Sequence, residues 1–388
     1  MVPVESTSRA KRDPVPGIHS DLAREVYCIL GIPIDGIEMP ALVKSIEAAA
    51  ASAEPFLIST PNLNFLASSR TDQEFRETLL LSDLCPPDGM PIIWIARLMG
   101  LPIKRRTAGS DIFEALRQRR DPQRPLKILL FGATEQIAAA AAERLSSISS
   151  GLSCVGWICP GFVSVDELSQ DRYIQQINAS NADFLACALG AKKGQLWLLR
   201  NHSRLRVPVR AHLGATINFE AGALKRAPLA VQRMGLEWLW RIKEEPSLFG
   251  RYWHDGWVFL RILLTQILPL IVAERWRQWG GDCTRHDFVM VTVENGPAVT
   301  VQISGDATAN QAPSAAARFR DALAKQRSLK VDLSQTRTID ARFLGLFLML
   351  RKQLKSRGDT LKFVGLSPRL ERQFRLNGLK YLLSTSQN

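Results

Sequence analysis

Leu126-Lys-Ile-Leu-Leu-Phe131-Gly132-Ala133-Thr134 is the stretch on which the architecture turns. An apolar run of strand length stops at a glycine, and an alanine-rich stretch of helical character carries on to Leu145. A short apolar run closed by a glycine turn and followed by a helix is the usual opening of a parallel-sheet unit. The same cadence recurs on both sides of it. Phe56-Leu-Ile-Ser-Thr60 reads as a buried strand that leads into a polar turn at Pro61 and Asn62. Cys154 to Ile158, Phe184 to Leu189 and Val209 to Leu213 are further strands, each separated by helix-length sequence. Strands alternating with helices predict an α/β fold with a largely parallel sheet and ligands beyond the carboxyl ends of its strands.

The pattern changes near residue 233. Six of the nine tryptophans fall between Trp238 and Trp279, and from Arg200 to Arg285 basic residues outnumber acidic ones by about two to one. Gly280-Gly281-Asp282 reads as a linker. Beyond it, Phe288 to Glu294 and Ala298 to Ser304 predict a hairpin around Asn295-Gly296. A helix from Ser314 to Gln326, a strand from Leu329 to Leu333, a helix from Phe343 to Arg357 and a strand from Thr360 to Val364 complete a small α/β module. The expected organisation is a flexible tail (1–23), an α/β domain (24–232), a basic Trp-rich appendage (233–281) and the module (282–388).

With 388 residues, the chain is longer than one ordinary domain. A hydrophobic fraction of 46% excludes wholesale disorder. The formal charge of +13 calls for an anionic partner: nucleic acid, an acidic membrane surface or a phosphorylated substrate. Six cysteines without a CxxC pair read as reduced and mostly buried, as in the cytosol. Met1 to Ser20 carries no apolar core and reads as a tail, not a signal peptide. No stretch reads as the roughly 20 clean apolar residues that a spanning helix requires.

The chemistry has few common signatures to lean on. GxxxxGK[ST], a GxGxxG after a strand and a DxD carboxylate pair are all missing, and the five histidines lack metal-ligand spacing. Gly132 is the one strand-to-helix glycine turn shaped to offer amides to a phosphate, although a glycine that simply ends a strand is commoner. Ser59 to Asp111 is the strongest segment. It holds Thr60-Pro-Asn62, Pro86-Pro-Asp88-Gly89 and Arg106-Thr-Ala-Gly109-Ser-Asp111. Asp88 follows an apolar stretch on a sharp turn, where it either enters a cleft or satisfies its own backbone; spacing alone favours the second. From His212 to Tyr252, arginines interleave with tryptophans and either clamp a pyrophosphate or pair with Glu237, Glu244 and Glu245.

Taken in order, these segments resemble the WecB/TagA/CpsF (WecG/TagA) family of bacterial glycosyltransferases, from about Val26 to Tyr252. The resemblance implies a Rossmann-like domain with a C-terminal appendage. It also implies inverting transfer of an N-acetylhexosamine or related hexose from a UDP-sugar donor to a polyprenyl-diphosphate-linked acceptor, at the cytoplasmic face of the inner membrane. Asp88 matches the family's proposed general base. Thr60 and Asn62 match the polar pair beside the donor, and Arg106 matches the arginine for the leaving diphosphate. Gly109, Asp111, Gly132, Gly190, Lys192 and Gln195 complete the expected donor side; Arg226, Arg241 and Arg251 match basic positions for the acceptor diphosphate. No metal and no cofactor are expected, since cations and helix-start amides can take the departing charge. Self-association is the family's tendency. One departure stands out: where the family often carries Gly-x-Pro-Lys-Gln-Glu-x-Trp, this chain reads Gly190-Ala-Lys192-Lys193-Gly194-Gln195-Leu-Trp197.

The C-terminal module resembles a STAS domain through Val331-Asp-Leu333-Ser, Thr338-Ile-Asp340, Gly345-Leu346, Leu361-Phe363-Gly365 and Gly378-Leu379. Signalling members carry a phosphorylated serine after the aspartate, whereas Ala341 stands here, so docking of a protein partner without that switch is expected. Trp257 to Ala273 is apolar on one helical face through Phe259, Leu260, Leu263, Leu264, Ile267, Leu270 and Ile271, with Pro269 a kink. Pattern alone leaves a core helix and an interfacial helix equal; the lipid acceptor favours the interface. The rival reading is a degenerate, non-catalytic scaffold. Nucleic-acid binding is the weakest, because no recognised DNA or RNA module accompanies the charge.

Overall fold

The computed structural model describes residues 21–119, 125–148, 151–279, 287–295 and 298–384. The expected linker at Gly280 to Asp282, the Gly296 turn, Cys283 and the tail as far as Ser20 lie outside them. Five strands form the main sheet: β3 (Phe56–Ile58), β4 (Leu126–Gly132), β5 (Leu152–Ile158), β6 (Phe184–Ala188) and β7 (Val209–His212). They follow an amino-terminal hairpin of β1 (Val26–Ile29) and β2 (Ile32–Asp35). The sheet order is β3-β7-β6-β4-β5, and every pairing is parallel. Helices cover both faces, which a parallel sheet requires. Ile128 and Leu130 of β4 point into one core with the helices Met39–Ser52, Gly109–Arg117 and Glu135–Ile148. Leu129 and Phe131 point into the other, where the Trp197 and Phe131 rings lie 4.5 Å apart between centroids.

The module is a second sheet, ordered β11-β10-β9-β8, from β8 (Val289–Asn295), β9 (Ala298–Ala307), β10 (Leu329–Ile339) and β11 (Leu361–Val364). β8 and β9 are the expected antiparallel pair. β10 runs six residues beyond the expected Leu333, because two irregularities let it keep pairing with β9.

What the sequence did not announce is how the two bodies join. β1 is a wedge between them. Val26 and Cys28 lie in the core of the module, while Tyr27 and Ile29 lie in a core shared with helices of the first domain. The period of two in a strand thus serves two hydrophobic bodies at once. Asp21–Ala23, expected in the tail, form a helical turn whose Leu22 is buried in the module. The module's helix Ala341–Ser356 lies on β1 so closely that a Cβ at Gly345 would sit 2.1 Å from the Val26 carbonyl oxygen.

Charges seal the same seam. The Lys352 ammonium donates to Asp83 (2.6 Å), Asp21 (2.9 Å) and the Ser82 carbonyl (3.1 Å) with its side chain only 11% exposed. Arg24 pairs with Asp35 at 2.7 Å and Asp21 at 2.9 Å, and Glu77 accepts from Arg351 and Lys355. Lys352 and Arg24 hold the Asp83 carboxyl below its ordinary range against the opposing effect of burial.

The appendage departs from expectation twice. Pro246–Ala273 is one helical stretch of 28 residues, long and apolar enough to cross a membrane by length and composition alone. Pro269 does not break it. A π turn at Leu263–Ile267 precedes it, with the Leu268 N–H donating to the Leu263 carbonyl. The expected apolar face also splits. Phe259, Leu263, Ile267 and Ile271 pack on the first domain, whereas Leu260 and Leu264 face outward. They align with Phe249, Trp253, Trp257, Leu268, Val272 and Trp276 in an exposed stripe. The helix is apolar on two sides, so the single-face reading missed half of it.

Lys352→Met leaves the half-buried Asp83 without its main partner. A loss of about 3 kcal/mol in unfolding free energy is expected, read as a lower urea midpoint.

Candidate active site

The segment Ser82 to Asp88 runs beside the outer edge of β3, and that placement builds the site. The Asp83 N–H donates to the Leu57 carbonyl while the Asp83 carboxylate accepts from the Leu57 N–H, the Ser59 N–H donates to the Leu84 carbonyl, and Asp88 N–H donates to the Pro61 carbonyl at 2.9 Å. Thr107 N–H then donates to the Pro87 carbonyl at 2.6 Å. Three segments far apart in sequence, Thr60 to Asn62, Pro87 to Gly89 and Arg106 to Asp111, are thereby tied into one surface at the carboxyl end of the sheet. Gly89 has φ +84°, a conformation that disfavours any side chain, and it starts the helix Met90–Leu98. Asp88 is held immediately before that turn.

Asp88 is half-buried, and desolvation pushes its carboxyl up to about 7. Arg106 opposes the shift; Glu237 and Asp111 reinforce it by repulsion. A carboxyl that titrates near neutrality suits proton transfer at working pH. The two arginines of the site are already engaged. Arg106 pairs with Glu237 and donates to Gln232 at 3.0 Å, and Arg226 pairs with Asp111. Arg226, expected on an acceptor side, therefore stands in the same cluster as the donor-side Asp111. Asp111 also accepts from the Ala108 N–H at 3.2 Å, and Asn62 caps the helix Leu63–Thr71 through the Phe65 N–H at 3.0 Å. Thr60 is buried beside it. Gly109 has a packing reason: a Cβ there would lie 2.5 Å from Leu213.

Gly132 lies three strand positions from β3, about 14 Å at the usual strand spacing. It ends β4 against β6, where a Cβ would strike the Ala188 carbonyl at 2.5 Å, and the helix Glu135–Ile148 follows. Gly190 sits at the end of β6 before the helix Ala191–Arg200, with open space around it. Both mark the carboxyl end of the sheet, where β4 and β6 lead their chains to opposite sides.

Four of the expected ligand contacts have other partners within the chain. Gln195 is fully buried and accepts from the Ser59 hydroxyl at 2.9 Å, because it lies on the inner face of its helix. Lys192, 63% exposed on the outer face, pairs with Asp72 at 2.6 Å. Neither touches the Asp88 cluster. Arg241 pairs with Glu245 and lies over the Phe219 ring, and Arg251 lies over Tyr252 on the long helix. Missed by the sequence reading were Glu237 and Gln232 as the partners of Arg106. Also missed was His212, whose imidazole fills the space above Gly194: a Cβ there would lie 2.2 Å from the ring. Burial pushes this imidazole down to about 4, so it is neutral. The pairing of an unusual glycine with an unusual histidine was not visible while residues 194 and 212 were read separately.

Comparison with known proteins identifies both parts of the chain. Residues 27–271 match the model of the glycosyl transferase WecG/TagA/CpsF family, and residues 290–384 match the Mlab, STAS domain model. An N-acetylglucosaminyldiphosphoundecaprenol N-acetyl-beta-D-mannosaminyltransferase of Bacillus spizizenii is 26% identical over 193 residues, which is 50% of this chain and 72% of that protein. The Staphylococcus aureus protein of the same description is 22% identical over 225 residues, 58% of this chain and 86% of its own. An anti-sigma factor antagonist from Mycobacterium paratuberculosis aligns with 25% of this chain and 83% of its own at 18% identity and a TM-score of 0.23. The first match takes in more than half of the protein, and the chain belongs to the WecG/TagA/CpsF glycosyltransferase family, with a STAS domain at its C-terminal end.

Proposed function

We propose that this enzyme transfers an N-acetylhexosamine or related hexose, with inversion and without a metal ion, from a UDP-sugar to a polyprenyl-diphosphate-linked acceptor in cell-surface polysaccharide synthesis. The relatives' printed activity, transfer of N-acetylmannosamine to N-acetylglucosaminyldiphosphoundecaprenol, supports the class of acceptor. The observation that carries the reading is Asp88, a carboxyl raised to about 7 on the turn before Gly89, beside Arg106 and Asp111, which pairs with Arg226.

In the proposed step, the acceptor hydroxyl gives its proton to Asp88 and its oxygen attacks the anomeric carbon from the face opposite the nucleotide. The bond from that carbon to the diphosphate breaks, and its electron pair leaves with UDP. Arg106 and Arg226 then exchange Glu237 and Asp111 for the departing diphosphate, an electrostatic stabilisation that grows as charge develops. The amides at the start of the helix after Gly132 offer a second anion site at the far end of the sheet. The exposed stripe of Trp253, Trp257, Leu260 and Leu264 supports a peripheral seat on the cytoplasmic face of the inner membrane, where the lipid acceptor resides.

Asp88→Asn is expected to lower kcat/KM by about 10²–10⁴ in a donor and acceptor assay. Transfer at the wild-type rate would remove Asp88 from the role of base. For the wild type, log kcat/KM should climb with pH to about 7 and then level, because the base works when deprotonated. The linkage runs the other way for stability. A carboxyl raised in the folded state favours folding while protonated, so its ionisation costs stability as pH rises from its unfolded value to about 7. Asp88→Asn should therefore be stabilising by ~2–4 kcal/mol at pH 8 and nearly neutral at pH 4, as urea titrations will read.

Turnover should survive EDTA unchanged. Loss of activity on chelation, restored by manganese, would overturn the metal-free mechanism.

Trp253→Ser with Leu264→Ser should weaken sedimentation with phosphatidylcholine vesicles while leaving turnover of a short-chain soluble acceptor intact. Equal sedimentation of variant and wild type would place the membrane seat elsewhere.

A further inference from the structure

A cleft of about 430 Å³ opens where the first domain, the long helix and the STAS domain meet. The first domain contributes Leu30, Ser69, Arg70 and Arg76; Gln266 comes from the long helix, and Arg375, Gly378, Lys380 and Tyr381 from the STAS domain. Four of these nine residues are cations, and none is a carboxylate. Arg375 pairs with Glu371, one turn away on its own helix and outside the lining.

Of the four cations only Arg375 has an ion-pair partner among the described residues. The Arg70 guanidinium donates to the neutral Gln266 amide oxygen at 2.7 Å. Its pKa is lowered, first by burial and then by repulsion from Arg261 on the long helix. Arg76 lies 4.0 Å over the Tyr381 ring, donates to the Ser69 carbonyl, and leaves its buried Nε without a hydrogen-bond partner. Arginines gathered around a concave space, one with an orphaned N–H, are the donor set that phosphate oxygens fill.

We propose that this cleft binds a phosphate ester, presented by an anionic phospholipid headgroup or by a small soluble phosphate. It is separate from the transfer site: Asn62 and Arg70 stand at opposite ends of one helix, roughly 12 Å apart along its axis. An anion here bridges all three parts of the molecule and relieves the repulsion between Arg70 and Arg261. The STAS domain thereby gains a ligand-binding role that needs no phosphorylated serine. The inference does not depend on the transferase chemistry.

The test compares the full-length protein with Arg375→Glu/Lys380→Glu and with Lys330→Glu/Arg327→Glu, which makes the same change in net charge on exposed residues outside the cleft. Arg70→Gln serves as a milder cleft variant should the double reversal misfold. Each protein is titrated with phosphatidylcholine vesicles with and without phosphatidylglycerol, and separately with glycerol 3-phosphate in a thermal-shift assay. The cleft variants should lose at least fivefold in affinity for the phosphatidylglycerol vesicles and none for phosphatidylcholine alone, while the control keeps wild-type binding. That result identifies the lipid source. A thermal shift with glycerol 3-phosphate that only the cleft variants lose identifies the soluble source. Equal losses in cleft and control variants, or no loss with either probe, would overturn the proposal.

Discussion

The ammonium of Lys352, enclosed by Asp21, Asp83 and the Ser82 carbonyl, is the constraint on which the rest of the molecule depends. A buried cation of this kind is stable only while its carboxylates stay in place, and each of those carboxylates has a second duty. Asp83 accepts from the Leu57 N–H of β3 at 2.8 Å, and Asp21 also pairs with Arg24, whose other partner, Asp35, accepts from the Cys85 N–H. The segment that delivers Asp88 is therefore fixed from behind by side chains of the hairpin and, through Lys352, by the STAS domain. Its carboxyl owes its near-neutral titration to that fixed, desolvated position.

The STAS helix Ala341–Ser356 is the one whose start would carry the phosphorylated serine in signalling members. Here its face is spent on β1: Gly345 allows the close approach, and Arg342 donates to the Arg24 and Val26 carbonyls. With Ala341 buried at the start of that helix, the surface is committed within the chain. The basic cleft forms where the domain meets the long helix and the first domain.

Much of the fold was legible because its signals are local. The runs at Phe56, Leu126, Phe184 and Val209 became adjacent parallel strands, and the 298–364 region folded in the predicted order. The site was legible only in part. Asp88, Asn62 and Arg106 come together as their ordered segments imply, yet the matched Lys192 and Gln195 point to Asp72 and Ser59 instead. A resemblance aligns backbone positions. It does not say which face of a helix a substituted side chain takes once His212 has filled the space above Gly194.

The amino-acid sequence by itself determined the alternation of strands and helices, the turn that carries Asp88 and the apolar character of the long helix. These follow from steric preference and periodicity among near neighbours. Only the tertiary structure decided that Arg106 meets Glu237, that Arg226 meets Asp111, and that β1 serves two cores. Pairings between residues more than a hundred positions apart depend on how whole layers stack. That stacking is set by the summed burial of many side chains, and no local pattern carries it.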